Sequence, residues 1–487
     1  MRAAPIVHLV VAGHLLVARC SAAAATAVVT PSVVPATPPV SSTALAAGPA
    51  AGSTTAAPAI LPGVPASSTV VATVPISATG AEAPAAPDPA VAPGHRESRF
   101  IPIVEADLRG AGSKVSSAHW TGGVVGSVFA LPAYRLAPAT LLLPIYAFEG
   151  SLFNRVVEEV VLFQSRQTHS GSLGVKQGLG DGWDAKLSFD AAYALTQEAR
   201  GETIGKGLYD YLDLGGRAAA TWNLEAKGRK APASFSLRAY HRSYPNFRSL
   251  AAENAALLLR DNPGLAAEIG GREQHPKDFN AIEPGLSGVW WWNPLIQTRA
   301  SWATSMRAYT DRYLRTDQGA IASTKRGDQM HLLSADTSVG GLGAFTAGTG
   351  VSWIRNISNM SVYDANQASH AFIPRFYQFS SVSLEPWGQW MAPGEGALRP
   401  RVRAGLSFLA RTFDKRPAQR LDGSYTDSRQ HDAEYGANLR GWYPVRSWLS
   451  LTAGADARIA RSNNRSQQLI RYAYEVLTLS AGVALSY

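Results

Sequence analysis

Apolar and polar residues alternate over unusually long stretches of this chain, and that pattern restricts what it can fold into. From Trp183 to Leu195, the residues Trp183, Ala185, Leu187, Phe189, Ala191, Tyr193 and Leu195 take every second position, with Asp184, Lys186, Ser188 and Asp190 between them. Side chains of a strand point to opposite faces with a period of two, so this segment reads as a strand with one apolar and one charged face. Leu212, Leu214, Gly216, Ala218, Ala220, Trp222 and Leu224 repeat the pattern against Asp213, Arg217, Thr221, Asn223 and Glu225. So do Val402, Ala404, Leu406, Phe408 and Ala410 against Arg401, Arg403, Ser407 and Arg411. Near the end, Leu449, Leu451, Ala453, Ala455, Ala457 and Ile459 oppose Ser450, Thr452, Asp456 and Arg458.

These segments run for about 10 to 15 residues, whereas strands of soluble domains usually have about 5 or 6. A tilted strand crossing a bilayer needs about 9 to 11 residues, apolar toward lipid and polar toward the lumen. Composition agrees: 46% of the chain is hydrophobic and only 17% charged, against roughly 25% charged in soluble globular proteins. One cysteine in 487 residues excludes a disulfide scaffold and Cys-based zinc modules. The net charge of +9 permits anionic partners. Nucleic acid is a poor fit, because the arginines alternate with apolar residues inside strands instead of gathering in one exposed patch. The expected fold class is all-β, a closed antiparallel transmembrane β-barrel.

The joints give a strand count. Short ones fall at 179–182, 293–294, 340–343 and 443–445, with intermediate ones at 226–231 and 391–399. Between them lie long polar ones at 196–207, 244–280, 314–327, 357–374, 414–431 and 462–470. Membrane barrels alternate short turns on one side with long loops on the other, and counting back from a last strand ending on the short-turn side gives about 14 strands, in a range of roughly 12 to 16. Trp290, Trp291 and Trp292, Trp387 with Trp390, Trp442 and Tyr443 with Trp448, and Tyr472 with Tyr474 gather near strand ends. Such rings suit the headgroup layer, which accepts an apolar body with a polar tip.

The chain ends on Leu477, Leu479, Ala481, Val483, Leu485 and Tyr487, apolar at every second position with an aromatic residue last. This resembles the C-terminal assembly signal of bacterial outer-membrane β-barrel proteins. Ser462, Asn463 and Asn464, with Tyr472, Ala473 and Tyr474, are similar to the final hairpin of many such barrels. The resemblance covers about the last 25 residues. It implies an outer membrane of the Gram-negative type, and barrel assembly machinery that recognises Leu479, Ala481, Val483, Leu485 and Tyr487. It implies no particular substrate.

The N-terminus reads as an address. Arg2 followed by an apolar stretch from Ile6 to Ala18 and small residues beyond forms a secretory signal peptide, taken as residues 1–27 with cleavage near Ala25, Thr26 and Ala27. Cys20 lacks the small preceding residue of a lipoprotein signal, since Arg19 stands there, and is expected to leave with the leader. Residues 28–97 are rich in Ala, Pro and Thr and nearly free of charge, so they read as a disordered linker, with a periplasmic partner as one use for it. Residues 98–150 read as an apolar lead-in broken by Pro132, Pro138 and Pro144, and the barrel is assigned to residues 151–487.

The face opposite lipid carries Lys186, Arg217, Arg401, Arg403, Arg411, Arg440 and Arg458, assigned here to the lumen wall beside Asp184, Asp190, Asp213, Glu225, Asp336, Glu385, Glu434 and Asp456. Near balance of sign favours cross-linking ion pairs, with Arg401, Arg403 and Arg411 the best candidates for an anion-attracting wall. A helix within 249–259 of the longest loop is expected to decorate the surface or narrow the mouth. No G-x-S-x-G elbow, P-loop, H-E-x-x-H or Cys cluster occurs, so the chain is not expected to be an enzyme or to hold a metal or cofactor. His275 with Asp278 and His431 with Asp432 are the nearest things to catalytic pairs. The expected function is a porin-like channel for small solutes in contact with outer-membrane lipid. The alternatives are a translocator or surface anchor for exported polypeptide or polysaccharide, and a loop-borne hydrolase.

Overall fold

A closed ring leaves no strand edge unpaired, and here the ring is sealed by the two ends of the sheet. The computed structural model describes residues 99–115, 120–157, 160–197, 203–226, 228–247, 275–317, 320–364, 371–394, 398–466 and 473–487. The expected leader, the linker, Cys20 and the loop helix lie outside the described residues.

The strands among the described residues are β1 (Phe100–Ile101), β2 (Val104–Val115), β3 (Thr121–Ala130), β4 (Ala133–Ala137), β5 (Thr140–Val157), β6 (Val160–Gly180) and β7 (Trp183–Gln197). They continue with β8 (Tyr211–Ala226), β9 (Arg229–Ser243), β10 (Phe279–Asn293), β11 (Ile296–Arg315), β12 (Ile321–Leu342) and β13 (Phe345–Ser358). After the small hairpin of β14 (Val362–Asp364) and β15 (Ala371–Ile373) come β16 (Phe379–Met391), β17 (Arg401–Gln419), β18 (Tyr425–Arg446), β19 (Leu449–Ser462) and β20 (Tyr474–Ser486). Each barrel strand pairs antiparallel with its neighbours, and β2 pairs with both β3 and β20, closing sixteen strands into a ring. At the seam the Val104 amide donates to the Tyr487 carbonyl at 2.9 Å and the Tyr487 amide returns a bond to Val104 at 2.8 Å. Strand β4 folds against β5, and β1 against β4, beside the ring.

The count of sixteen corrects the expectation of about 14. The two further strands are β2 and β3, which lie in the segment read as a lead-in. Their outward positions include Gly110, Gly112 and Gly126, so the apolar alternation that marks other strands is faint there. Nor do the prolines interrupt the wall. Pro132 and Pro138 flank β4, and Pro144 stands in β5 between the stretch paired with β4 and the stretch paired with β3, where no neighbour on that side needs its missing amide.

Two expected long loops also shrink. β11 continues to Arg315 and β12 begins at Ile321, while β17 continues to Gln419 and β18 begins at Tyr425, so between the latter pair only 420–424 turn. These hairpins extend beyond the apolar belt, where an outward polar residue costs nothing, and the inward side of the β17–β18 hairpin carries buried Arg416, Ala418 and Gln430. On the other rim, β6 and β7 meet through Asp181 (φ 49°) and Gly182 (φ 78°), a two-residue turn with both central residues left-handed.

Curvature separates the faces, since side chains converge on the inside of a ring and diverge on the outside. Leu187 is 68% exposed while its neighbour Ser188 is 6% exposed. Phe189, Leu214, Phe235, Leu286, Leu333, Leu384, Leu406, Leu439 and Leu479 share the exposed face and form an apolar belt. Near the short-turn rim, Trp183 and Trp222 stack outward with centroids 5.6 Å apart, and Trp290, Trp292, Tyr443 and Trp448 are exposed as well. Trp387 and Trp442 depart from this girdle. Cross-strand pairing sets them opposite Gly405 and Arg401, on the inner face.

Candidate functional site

Register decides which side chains share the interior. Ser188 lies opposite Arg217, Arg217 opposite Arg238, and Arg238 opposite Glu283, so one inner row crosses β7 to β10. Asp190 is 3.9 Å from Arg217 and 3.8 Å from Arg238, and Arg238 is 3.5 Å from Glu283. The Tyr240 hydroxyl donates to Glu283 at 3.1 Å. Two levels toward the long-loop rim, Arg242 donates through Nε and Nη2 to the two carboxylate oxygens of Asp213, both at 2.6 Å. Its guanidinium carbon lies 3.9 Å from the Tyr211 ring centre and 5.5 Å from that of Phe279. Farther round, Arg326 donates to Asp328 at 2.6 Å and covers the rings of Tyr309 and Tyr377 at 4.5 and 4.8 Å. Alternating guanidinium and aromatic groups thus brace the barrel wall below its long loops, each cation held by a carboxylate and a π face.

The opposing wall differs. Counted from β2, β7 is fifth and β17 thirteenth in the ring of sixteen, so they stand across the lumen from one another. Arg401, Arg403 and Arg411 project inward from β17 and rest 4.6 Å over Trp442, 4.2 Å over Trp387 and 4.9 Å over Phe379. Among the described residues no carboxylate is in ion-pair contact with any of the three, and the buried Nε of Arg411 has no acceptor. Beside them Arg440 is 3.9 Å from Asp456 and Arg458 is 3.5 Å from Glu434. The seven basic residues singled out from the sequence therefore fall into two groups. Lys186 and Arg217 stand on β7 and β8, near Asp190; Arg401, Arg403, Arg411, Arg440 and Arg458 stand on β17 to β19, with the first three unpaired. A guanidinium stacked on a ring keeps its in-plane N–H groups free to donate, and fixed positive charge in an aqueous channel concentrates anions.

Arg242, Arg326 and Asp328 escaped the sequence reading. The signal for Arg242 was present, since Arg238, Tyr240 and Arg242 continue one face of β9. Arg326 fell in a segment assigned to a loop. The histidine pairs form no dyad: His431 and Asp432 are strand neighbours on opposite faces, and the Asp278 carboxylate accepts from the Tyr244 amide at 2.7 Å. Among the described residues no cluster of three or more His, Cys, Asp or Glu could hold a metal. Outside the membrane-spanning segments, burial pushes the Tyr244 phenol above its ordinary pKa, and hydrogen bonds from Ser424 hold the Asp422 carboxyl below the usual carboxylate range.

A closed antiparallel ring, an outward apolar belt, a tryptophan girdle and a charged interior define an integral β-barrel protein of the outer membrane. The sequence matches no family model and no curated protein. Among solved structures the chain is similar to OccAB4 of Acinetobacter baumannii, with 8% identity over 81% of this chain and 100% of that one and a TM-score of 0.40. It is similar as well to OccD3 of Pseudomonas aeruginosa (10% identity, 79% and 91% covered, TM-score 0.37). A loop-deletion variant of the outer-membrane protein OmpT of Vibrio cholerae gives 10% identity, 80% and 100% covered, and a TM-score of 0.39.

Proposed function

We propose that the barrel is a passive porin-like channel for small solutes with a preference for anions. The size of the ring carries this reading. Sixteen strands spaced about 4.8 Å apart and tilted about 40° have a circumference of about 100 Å, hence a backbone diameter of about 30 Å. Barrels of this strand number leave an aqueous channel after side chains fill the inner margin. The preference for anions rests on the unpaired Arg401, Arg403 and Arg411 wall.

The expected result in a planar bilayer is a steady conductance whose reversal potential in a salt gradient favours anions. Replacing all three arginines by alanine shifts that potential toward the cation value without closing the pore. A barrel that inserts and shows no conductance would end the channel reading and leave export as its rival.

The same reading makes β20 the strand handed to the assembly machinery, with Leu479, Ala481, Val483, Leu485 and Tyr487 as its signal. Tyr487 also closes the seam with Val104 through two backbone bonds. Deleting it is expected to lower the amount of folded protein in the membrane while the conductance of each folded pore stays unchanged. Normal abundance with altered conductance would reassign Tyr487 to the channel.

A further inference from the structure

Among the described residues, one sector of the long-loop edge of the apolar belt gathers several outward charges. Cross-strand register assigns the residues. Trp353, Arg355 and Ile357 alternate along β13, and Arg355 pairs with Ser380 of β16, which pairs with Thr412 of β17, which pairs with His431 of β18. Arg355 donates to Asp414 at 2.9 Å and to Ser380 at 2.9 Å, and the Nδ1 of His431 lies 3.1 Å from the Thr412 hydroxyl. Lys415 and Arg429 are exposed on this side, with Phe413, Arg416 and Gln430 buried on the other. Both cations stand close enough to act electrostatically on Asp414. On β19, Arg461 is exposed beside Ile459 and bonds Glu475 of β20 at 2.8 Å. Lys114, exposed on β2, completes the sector.

Across β13 to β2 the outward rim thus presents Arg355, Lys415, Arg429, Arg461, Lys114 and His431, against Asp414, Asp427 and Glu475. Arg355 and Arg461 are paired. Lys415, Arg429 and Lys114 have no carboxylate in ion-pair contact among the described residues. The rim on the other side of the ring contrasts with this. There the paired outward residues Tyr193, Leu212, His241, Asn280 and Ala308 bear no fixed charge, and the exposed Lys325 of β12 is turned onto the Thr310 carbonyl and the Tyr313 ring. Directly below the basic sector lie exposed Val382, Leu384, Leu406, Phe408, Tyr435 and Ile459.

Cations immediately above a lipid-facing apolar surface meet the headgroup layer, and an outward charge at that level is satisfied by an opposite charge on the lipid. We propose that the sector formed by Lys415, Arg429, Arg461 and Lys114 is a docking site for a phosphate-bearing lipid of the outer leaflet, whose acyl chains lie on the belt below. Arg429 and Lys415 grip the phosphate and Arg461 orients beside it, leaving Glu475 to fix the Arg461 side chain. The site rests on the membrane-spanning fold and is independent of passage through the lumen.

The test uses the full-length folded protein in detergent and diphosphorylated lipid A as the probe, with dephosphorylated lipid A and free pyrophosphate as comparison arms. Lys415→Ala with Arg429→Ala is expected to weaken binding of the diphosphorylated lipid about 30-fold, since each cation near a membrane surface contributes about a fivefold change. Lys230→Ala with Arg446→Ala removes the same charge from the short-turn rim and is expected to leave binding unchanged. The Gln versions of the first pair keep polar stems and give the same loss should the alanine pair fold poorly, which heat-dependent gel mobility checks. Conductance is expected to be the same in all variants. Undiminished binding by the Lys415 and Arg429 variants, an equal loss in the short-turn pair, equal binding of dephosphorylated lipid, or full competition by pyrophosphate would each overturn the proposal.

Discussion

Leu187→Arg is expected to cut folding into lipid vesicles sharply, while Ser407→Arg folds like the unaltered protein. Leu187 lies on β7 inward of the Trp183 girdle and is among the most exposed apolar residues of the belt, so a guanidinium placed there points into hydrocarbon. Near mid-membrane that costs roughly 2 to 4 kcal/mol, or roughly a 30- to 900-fold change in the folding equilibrium. Leu406→Arg should behave in the same way, since it shares the exposed face of β17. The inner comparison has to be chosen with care. Ser188 also faces inward, but it is buried and directly opposite Arg217, so an arginine there would crowd a like charge. Ser407 is only half-buried and is opposite Gly436, which has neither charge nor side chain to oppose an arginine. Folding yield followed by heat-dependent gel mobility measures the difference, and equal tolerance at Leu187 and Ser407 would mean that the two faces have been exchanged.

The alternation that supports this test was legible because lipid and lumen demand opposite chemistry from successive residues. Where either demand relaxes, the pattern fades. In β2 and β3 the outward positions include Gly110, Gly112 and Gly126, which are small enough to sit on a wall but too weakly apolar to announce it. In the hairpin tips of β17 and β18 the outward face is no longer in hydrocarbon, so Lys415, Asp427 and Arg429 look like loop residues although they lie within the strands. The lumen chemistry was legible by face and not by partner. Alternation places Lys186, Arg217, Arg403 and Arg440 on one side of their strands. It says nothing about which carboxylate lies across the next strand, because that depends on register between segments dozens of residues apart. Arg242 and Asp213 meet across two strands joined by a turn, and the charge balance of the whole chain gives no hint that this pair is closed while Arg403 is open.

That closed pair predicts the largest single effect in the lumen. Asp213→Ala is expected to destabilise the barrel by about 3 kcal/mol, because it leaves the largely covered Arg242 guanidinium without its counter-charge. Asp213 is buried, and both of its oxygens accept from Arg242. The neighbouring rings of Tyr211 and Phe279 can shield the cation but cannot neutralise it. Removing both members by Asp213→Ala with Arg242→Met is expected to restore most of the loss, since no charge then remains to be desolvated and the methionine stem refills the space against Phe279. Arg242→Lys falls between, for an ammonium cannot reproduce the paired Nε and Nη2 bonds. Urea unfolding in lipid vesicles, read by tryptophan fluorescence, gives the four stabilities of a double-mutant cycle. A double variant as unstable as Asp213→Ala would show that packing, not charge, holds this part of the wall; a neutral Asp213→Ala would show that water reaches Arg242 and that the ring of guanidinium and aromatic groups is open to the lumen.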